Sequence, residues 1–283
     1  MTMVETKEVT EQKLVWWREV LLAYGFYFVY SRIRGSSRAS GLQPLQNARR
    51  LIHWERNIGA YHELGFQRLV LTNDQMVVAL NTFYGTAHFM VTPAVAVFLF
   101  RKRRGVYRLW RNVLGLATAL ALVGYFLFPL MPPRLVPLLG FSDTMVRHPS
   151  PWKIAPIPIW NIGNPYAAMP SLHVAWSIWV CLALLATTRS VGMRCAACAY
   201  PFVTLIAIVA TGNHYVLDAV GGALALALAM ALLPVLTMVS VWRWSILMTA
   251  GPSAAFLPGD AFPPGGEGAG GYSPPVWGNS SKR

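Results

Sequence analysis

Apolar positions gather into six long runs, near residues 14–31, 75–100, 110–130, 171–188, 195–211 and 215–241. A helix that crosses a bilayer needs about 20 mostly apolar residues, so each run is a candidate span. The pattern predicts an all-α integral membrane protein, a six-transmembrane-helix bundle with both termini on one side. Between the second and third runs lies Arg101-Lys102-Arg103-Arg104, followed by Arg108 and Arg111, the densest basic cluster in the chain. The positive-inside rule makes that loop cytoplasmic, and Arg189 and Arg194, between the fourth and fifth runs, agree with it.

The connection from the first run to the second, residues 32–74, carries Arg32, Arg34, Arg38, Arg49, Arg50, Arg56 and Arg68 on the side this scheme places outside. Such an excess either weakens the orientation or means that lipid headgroups or a substrate phosphate hold these arginines. Within it, residues 45–70 mix apolar and basic positions as an interfacial helix does. Residues 1–13 are polar, with Glu5, Glu8 and Glu11, and lack the layout of a cleaved signal peptide. The first run is therefore expected to stay as a span. From Gly251 onward the chain is rich in Pro and Gly, too poor in apolar surface to offset its ordering entropy. The expected organisation is a polar segment at 1–13, a membrane catalytic domain at 14–245 and a disordered tail at 246–283.

Composition supports the membrane reading. The chain has 283 residues, 55% hydrophobic and only 12% charged, with a mean hydropathy of +0.43, too apolar for an ordinary soluble domain. Lys and Arg number 24 against 11 Asp and Glu, but they are scattered between apolar runs. No stripe for nucleic acid forms. Cys181, Cys195 and Cys198 all sit in apolar runs and read as small buried hydrophobes. The single C-x-x-C has no second pair to complete a metal site.

Polar side chains at membrane depth are costly and ask for a reason. Three clusters stand out: Phe128 to Arg134, where prolines end the third run; Asn164 to His173, opening the fourth; and Thr211 to Asp218, joining the fifth and sixth. Whichever way up the bundle sits, all three lie on one face of the membrane and can share one site. His214 and Asp218, four apart, fall on one helix face. A carboxylate there fixes the imidazole tautomer and supports the charge that develops when the other nitrogen attacks an electrophile. Ser171 is a natural helix N-cap, so the amides and dipole behind it form an anion site. His173 stands where it can protonate a departing oxygen, and Arg134 offers a fork that matches phosphate oxygens. Together they describe in-line phosphoryl transfer through a phosphohistidine. No cofactor is expected, and the basic neighbours and missing carboxylate cluster count against a hard cation.

Pro170-Ser171-Leu172-His173 with His214-x-x-x-Asp218 resembles the second and third signature motifs of the type 2 phosphatidic acid phosphatase superfamily. More narrowly, Ala168 to His173 and Thr211 to Tyr215 resemble its inositolphosphotransferase branch, which contains inositol phosphorylceramide synthases. The resemblance covers about residues 50 to 235. It implies a six-helix membrane bundle with His214 as nucleophile, Asp218 as its partner, His173 as the acid, and Ser171 and Arg134 as phosphate ligands.

The chain departs from the superfamily pattern where phosphate cations are expected. Leu127 replaces the Lys seven residues before the Arg of the first motif, and Ala207-Ile208 replaces a Ser-Arg pair. Leu172 replaces a Gly, as in the narrower branch. An unpaired dianion in low-dielectric surroundings is prohibitive, so other groups must compensate it. Asn81, Tyr84 and His88 line one stripe of the second run, and Arg56, beside Glu55, lies on the same side. Arg56, His88 and Tyr84 are the candidate replacements; the alternative is that the stripe only bonds helix to helix.

The function expected is a membrane enzyme that transfers a phosphoryl or substituted phosphoryl group from a lipid or isoprenoid phosphate among membrane lipids. With water as acceptor it is a phosphatase; with an alcohol such as inositol it is a transferase. It is expected in the cell membrane, with the site on the non-cytoplasmic face. A transporter or lipid flippase with a His/Asp proton relay is the alternative, and it predicts polar residues through the whole depth of the bundle. A scaffold with vestigial motifs is the third reading, against which every nucleophile and acid position is filled.

Overall fold

The structure, a computed structural model, describes residues 14–36, 41–147 and 164–249. Its helices are α1 (Trp16–Ser36), α2 (Leu42–Asn57), α3 (Glu63–Val70), α4 (Asp74–Lys102), α5 (Arg104–Leu127), α6 (Thr144–Arg147), α7 (Leu172–Thr187), α8 (Val191–Ala210) and α9 (Val216–Thr249), with a 3₁₀ turn at Pro133–Leu135. There is no strand among the described residues. Met1–Thr237 forms one compact unit, and a second begins at Met238. The polar segment 1–13 and residues 250–283 of the expected tail lie outside the described residues, while 246–249 are helical.

All six apolar runs are helical, but they are not equivalent. α4, α5, α8 and α9 as far as Leu236 are long and apolar enough to cross a membrane. α7 is apolar but only 16 residues long, about 24 Å at 1.5 Å per residue. α1 has 21 residues, yet Arg18, Glu19, Arg32 and Arg34 dilute its apolar run. Four described helices therefore meet the requirement instead of the six expected from the run pattern. Pro93, Pro201 and Pro234 sit inside α4, α8 and α9, as membrane helices tolerate where neighbours satisfy the freed backbone groups. Large apolar side chains such as Phe126, Phe202 and Leu224 point outward.

The core lies where α5, α7 and α9 meet the second half of α4. Leu99, Ala117, Ala121, Trp179, Val180, Ala183 and Ala229 are buried there, the small residues allowing close helix approach. The indole of Trp179, fully buried, donates to the Trp110 carbonyl oxygen at 2.8 Å. That bond satisfies the one polar atom of the side chain inside apolar packing.

At the end of the bundle that holds the basic loop, Arg103 alone separates α4 from α5, and its Nε donates to the Thr187 carbonyl oxygen at the end of α7, 2.8 Å away. Glu19 accepts from Arg111 at 2.7 Å and from the Tyr107 hydroxyl at 3.1 Å. The start of α1 is thereby fixed beside the start of α5.

The single helix expected over 45–70 is two helices. α2 ends where Gly59, at φ +70°, adopts the left-handed conformation that a side chain resists. The amides of Gly59 and Ala60 then return to the carbonyls of Arg56 and Glu55, closing the end of the helix in the manner of a Schellman turn. α2 buries Ala48, Leu51, Ile52 and Glu55 and leaves Arg49, Arg50, Trp54 and Arg56 exposed.

Candidate functional site

Three chain segments are joined by backbone hydrogen bonds at the end of the bundle away from the basic loop. Pro129, Pro132 and Pro133 cannot continue α5, and the segment they shape bonds to its neighbours: Leu130 N to Tyr166 O at 2.8 Å, and Arg134 N to Gly212 O at 2.9 Å. Ser171 N donates to Asp218 O at 3.0 Å, so the head of α7 is tied to the first turn of α9. Gly212, at φ +67°, has no room for a side chain, because a Cβ there meets Gln67 and Arg134. At Gly222 a Cβ would run into the Ser171 carbonyl. The two helix heads cross at this glycine.

This stitching brings the histidines together. Buried His214 places Nδ1 3.1 Å from Asp218 Oδ2, and the same oxygen accepts the Tyr215 amide at 3.1 Å. Opposite an ionised carboxylate, which only accepts, an imidazole presents Nδ1–H and keeps the Nε2 lone pair free. His173, on the first turn of α7, lies 5.5 Å from His214 between ring centroids, edge to face. Tyr84 stacks on His173 at 4.4 Å, and His88 meets it edge-on at 4.3 Å. Tyr84, His88, His173, Ala207 and Ile208 border a crevice of about 10 Å³, room for about one water molecule.

Ser171 stands at the N-cap of α7, as its residue type predicts, but its hydroxyl makes no capping bond. Its Oγ is fully buried and has no hydrogen-bond partner among the described residues. Such an atom is costly unless something satisfies it. Arg134 is held on two sides, Nε donating to Asn213 Oδ1 at 2.9 Å and Nη1 to Asp143 Oδ2 at 3.0 Å. Asn213 is fixed in turn, donating to Thr211 Oγ1 at 2.7 Å.

Of the remaining sequence candidates, Tyr84 and His88 join the imidazoles, whereas Asn81 on the same stripe exchanges hydrogen bonds with Thr144. Arg56 is exposed, its guanidinium held 4.8 Å over the Tyr61 ring, and no described contact links it to the histidines. Leu127, where the superfamily pattern has Lys, is 77% exposed at the end of α5. Ala207 and Ile208, in place of Ser-Arg, give the crevice an apolar wall. Sequence reading missed Asp143, which has no motif around it. It also missed Glu55 and Glu63 as partners of α9, since nothing in their spacing relates them to residues 162 and 153 positions away.

A family model described as the PAP2 superfamily matches residues 49–233. The chain belongs to the PAP2 superfamily. No curated protein and no solved structure matches it. PAP2 superfamily members are generally phosphatases or phosphotransferases acting on phosphate substrates. Together with its four apolar helices, membership makes it a membrane protein. The matched segment holds α4 to α8, the first half of α9 and every residue of the histidine cluster.

Proposed function

We propose that the protein transfers a phosphoryl or substituted phosphoryl group from a lipid or isoprenoid phosphate through a phosphohistidine at His214. His214 Nε2 attacks phosphorus as the bond to the leaving oxygen breaks, and that oxygen takes a proton from His173. Water or an alcohol then attacks, the P–N bond breaks, and His173 recovers a proton from the acceptor. Arg134, the Ser171 hydroxyl and the amides at the head of α7 bind the phosphate oxygens. His88 and Tyr84, packed on His173, stand in for the missing cations; Arg56, held at Tyr61, is the weaker candidate for that role. The observation that carries this reading is the Asp218–His214–His173 array at 3.1 and 5.5 Å, beside a buried serine hydroxyl with no partner among the described residues.

A lipid donor fits the surroundings. Tyr84, His88, Val91, Val95 and Phe98 follow one stripe of α4 at spacings of four and three. The last three, with Met90, Ala94, Leu184 and Met193, line an apolar groove of about 420 Å³, volume enough for a hydrocarbon chain whose phosphate sits at His88. The motif pair over Ala168 to His173 and Thr211 to Tyr215 favours an alcohol acceptor of the inositol kind.

We read α1 and α7 as spans too, giving six. The Glu19–Arg111 pair ties the head of α1 to the basic, cytoplasmic end of α5, so the site opens on the opposite face. A proton-relaying transporter needs polar groups through the bundle, and the core around Leu99, Trp179 and Ala183 is apolar. The deciding experiment offers purified protein a panel of lipid phosphates with and without inositol and reads products by mass. Free phosphate, or a transferred headgroup, with an acid-labile phosphohistidine trapped on His214, supports the reading. A His214→Ala variant that turns over at the wild-type rate removes it.

A further inference from the structure

The first amides of a helix have no partner within it, and at the head of α9 three of them in a row end on carboxyl groups. Tyr215 N donates to Asp218 Oδ2, Val216 N to Glu63 Oε1 at 3.1 Å, and Leu217 N to Glu55 Oε1 at 2.8 Å. Glu55 comes from α2 and Glu63 from the first position of α3, and both are fully buried. Successive amide nitrogens are about 3 Å apart, so the two glutamate carboxyls are forced side by side. Their second oxygens, Glu55 Oε2 and Glu63 Oε2, are buried and have no donor among the described residues.

Two ionised carboxylates packed together out of water repel each other and lose hydration. The groups around them do not relieve this. Tyr215, just before α9, and Asp218, on its first turn, lie beside them, and Tyr61 lies beside them on the turn between α2 and α3. Arg56, near the end of α2, has its guanidinium 4.8 Å over the Tyr61 ring. Burial, reinforced by Glu63 and then by the Asp218 charge, pushes Glu55 up to about 8 against the pull of the Leu217 amide. The same surroundings push Tyr61 and Tyr215 upward, burial first in both.

We propose that Glu55 and Glu63 are a pair of positioning residues that share one proton, clamp the head of α9, and through it set the His214–Asp218 pair. The membrane helices carry the histidines; the two extramembrane helices α2 and α3 hold them in register. The catalytic part of this inference rests on the phosphotransfer reading above, whereas the clamp itself does not.

The test uses the full chain in detergent or nanodiscs with Glu55→Gln and Glu55→Ala. A glutamine keeps both contacts, its oxygen accepting from Leu217 and its amide donating to a Glu63 oxygen, but it does not titrate. Alanine removes both. Hydrogen exchange over residues 214–218 at pH 6 is expected to match wild type in E55Q and to quicken about tenfold or more in E55A. A carboxyl raised in the folded state gives stability that is complete below its unfolded value near 4.5 and lost as pH rises to about 8. The wild-type melting temperature therefore falls between pH 5 and 8, and E55Q falls less. With turnover assigned, E55A lowers kcat about 10- to 100-fold with little change in KM, and E55Q restores it.

Unchanged exchange in E55A overturns the clamp, and equal pH dependence of melting in wild type and E55Q overturns the shared proton. Should Glu55→Ala not fold, Glu63→Ala, which removes the Val216 bond and the shared proton but keeps the Leu217 bond to Glu55, carries the exchange comparison. If no lipid phosphate is turned over, the functional reading fails alone, because exchange and melting still decide the clamp.

Discussion

Asp218 Oδ2 bridges the Nδ1 of His214 and the amide of Tyr215, each at 3.1 Å. One carboxyl oxygen thus fixes both the imidazole and the backbone turn that carries it, and Asp218 itself is fully buried. Asn at this position can offer the ring an N–H in place of an acceptor, which favours the wrong tautomer. Asp218→Asn is expected to lower kcat about a hundredfold or more with KM little changed. Rapid-quench measurement of the phosphohistidine checks it, since the loss must fall on formation of that intermediate.

Arg134 uses two nitrogens on Asn213 and Asp143, which orients the guanidinium before any anion arrives. Lysine keeps the charge and loses the fork. Arg134→Lys is expected to raise KM for the phosphate substrate about tenfold, since hydrogen bonds to charged groups are worth about 1.5–3 kcal/mol. A phosphate-analogue titration such as vanadate binding reads the same loss without turnover.

Gly222 lets α9 cross the head of α7, where the Ser171 carbonyl occupies the space of a Cβ. Since the obstruction is backbone and not a flexible side-chain tip, Gly222→Ala must push Ser171 and His173 away from His214. The expected loss is about 1–3 kcal/mol in stability, read by thermal unfolding in detergent. Activity should fall by more than the unfolded fraction accounts for.

The groove along α4 makes a separate prediction. Ala94→Phe places a ring in the apolar space bordered by Val91, Val95, Phe98 and Leu184, well below the histidines. It is expected to cut kcat/KM for long-chain lipid phosphates about tenfold while a short, water-soluble phosphate ester is turned over at the wild-type rate. Equal effects on both would mean that hydrocarbon does not lie there.

Sequence pattern carried a long way here because membrane helices leave a plain signature. Each apolar run became a helix, and the four-residue spacing did bring His214 to Asp218, but not along the helix face it suggests: His214 lies in the turn before α9, and Asp218, on the first turn of that helix, reaches back to it and to the Tyr215 amide. The proline runs marked where α5 stops and why Arg134 sits at an end. Spacing was silent on the rest. Asn81, Tyr84 and His88 look equivalent on one stripe, yet Asn81 bonds to Thr144 while the other two pack on His173. Which neighbour faces a stripe depends on packing between helices, and local sequence does not encode it.

The sequence alone determined the helices, the end of the bundle where the polar clusters gather, and the residue types able to do phosphate chemistry, because hydrophobic period and motif spacing are local properties. Tertiary structure alone decided that His173 and His214 meet, that Arg134 is fixed by Asp143, that Arg56 turns to Tyr61, and that Glu55 and Glu63 close on the amides of α9. Those relationships join positions from five residues apart, at Arg56 and Tyr61, to more than 150, at Glu55 and Glu63 with α9. They exist only because burial leaves each polar group few partners, and folding selects which of them is within reach.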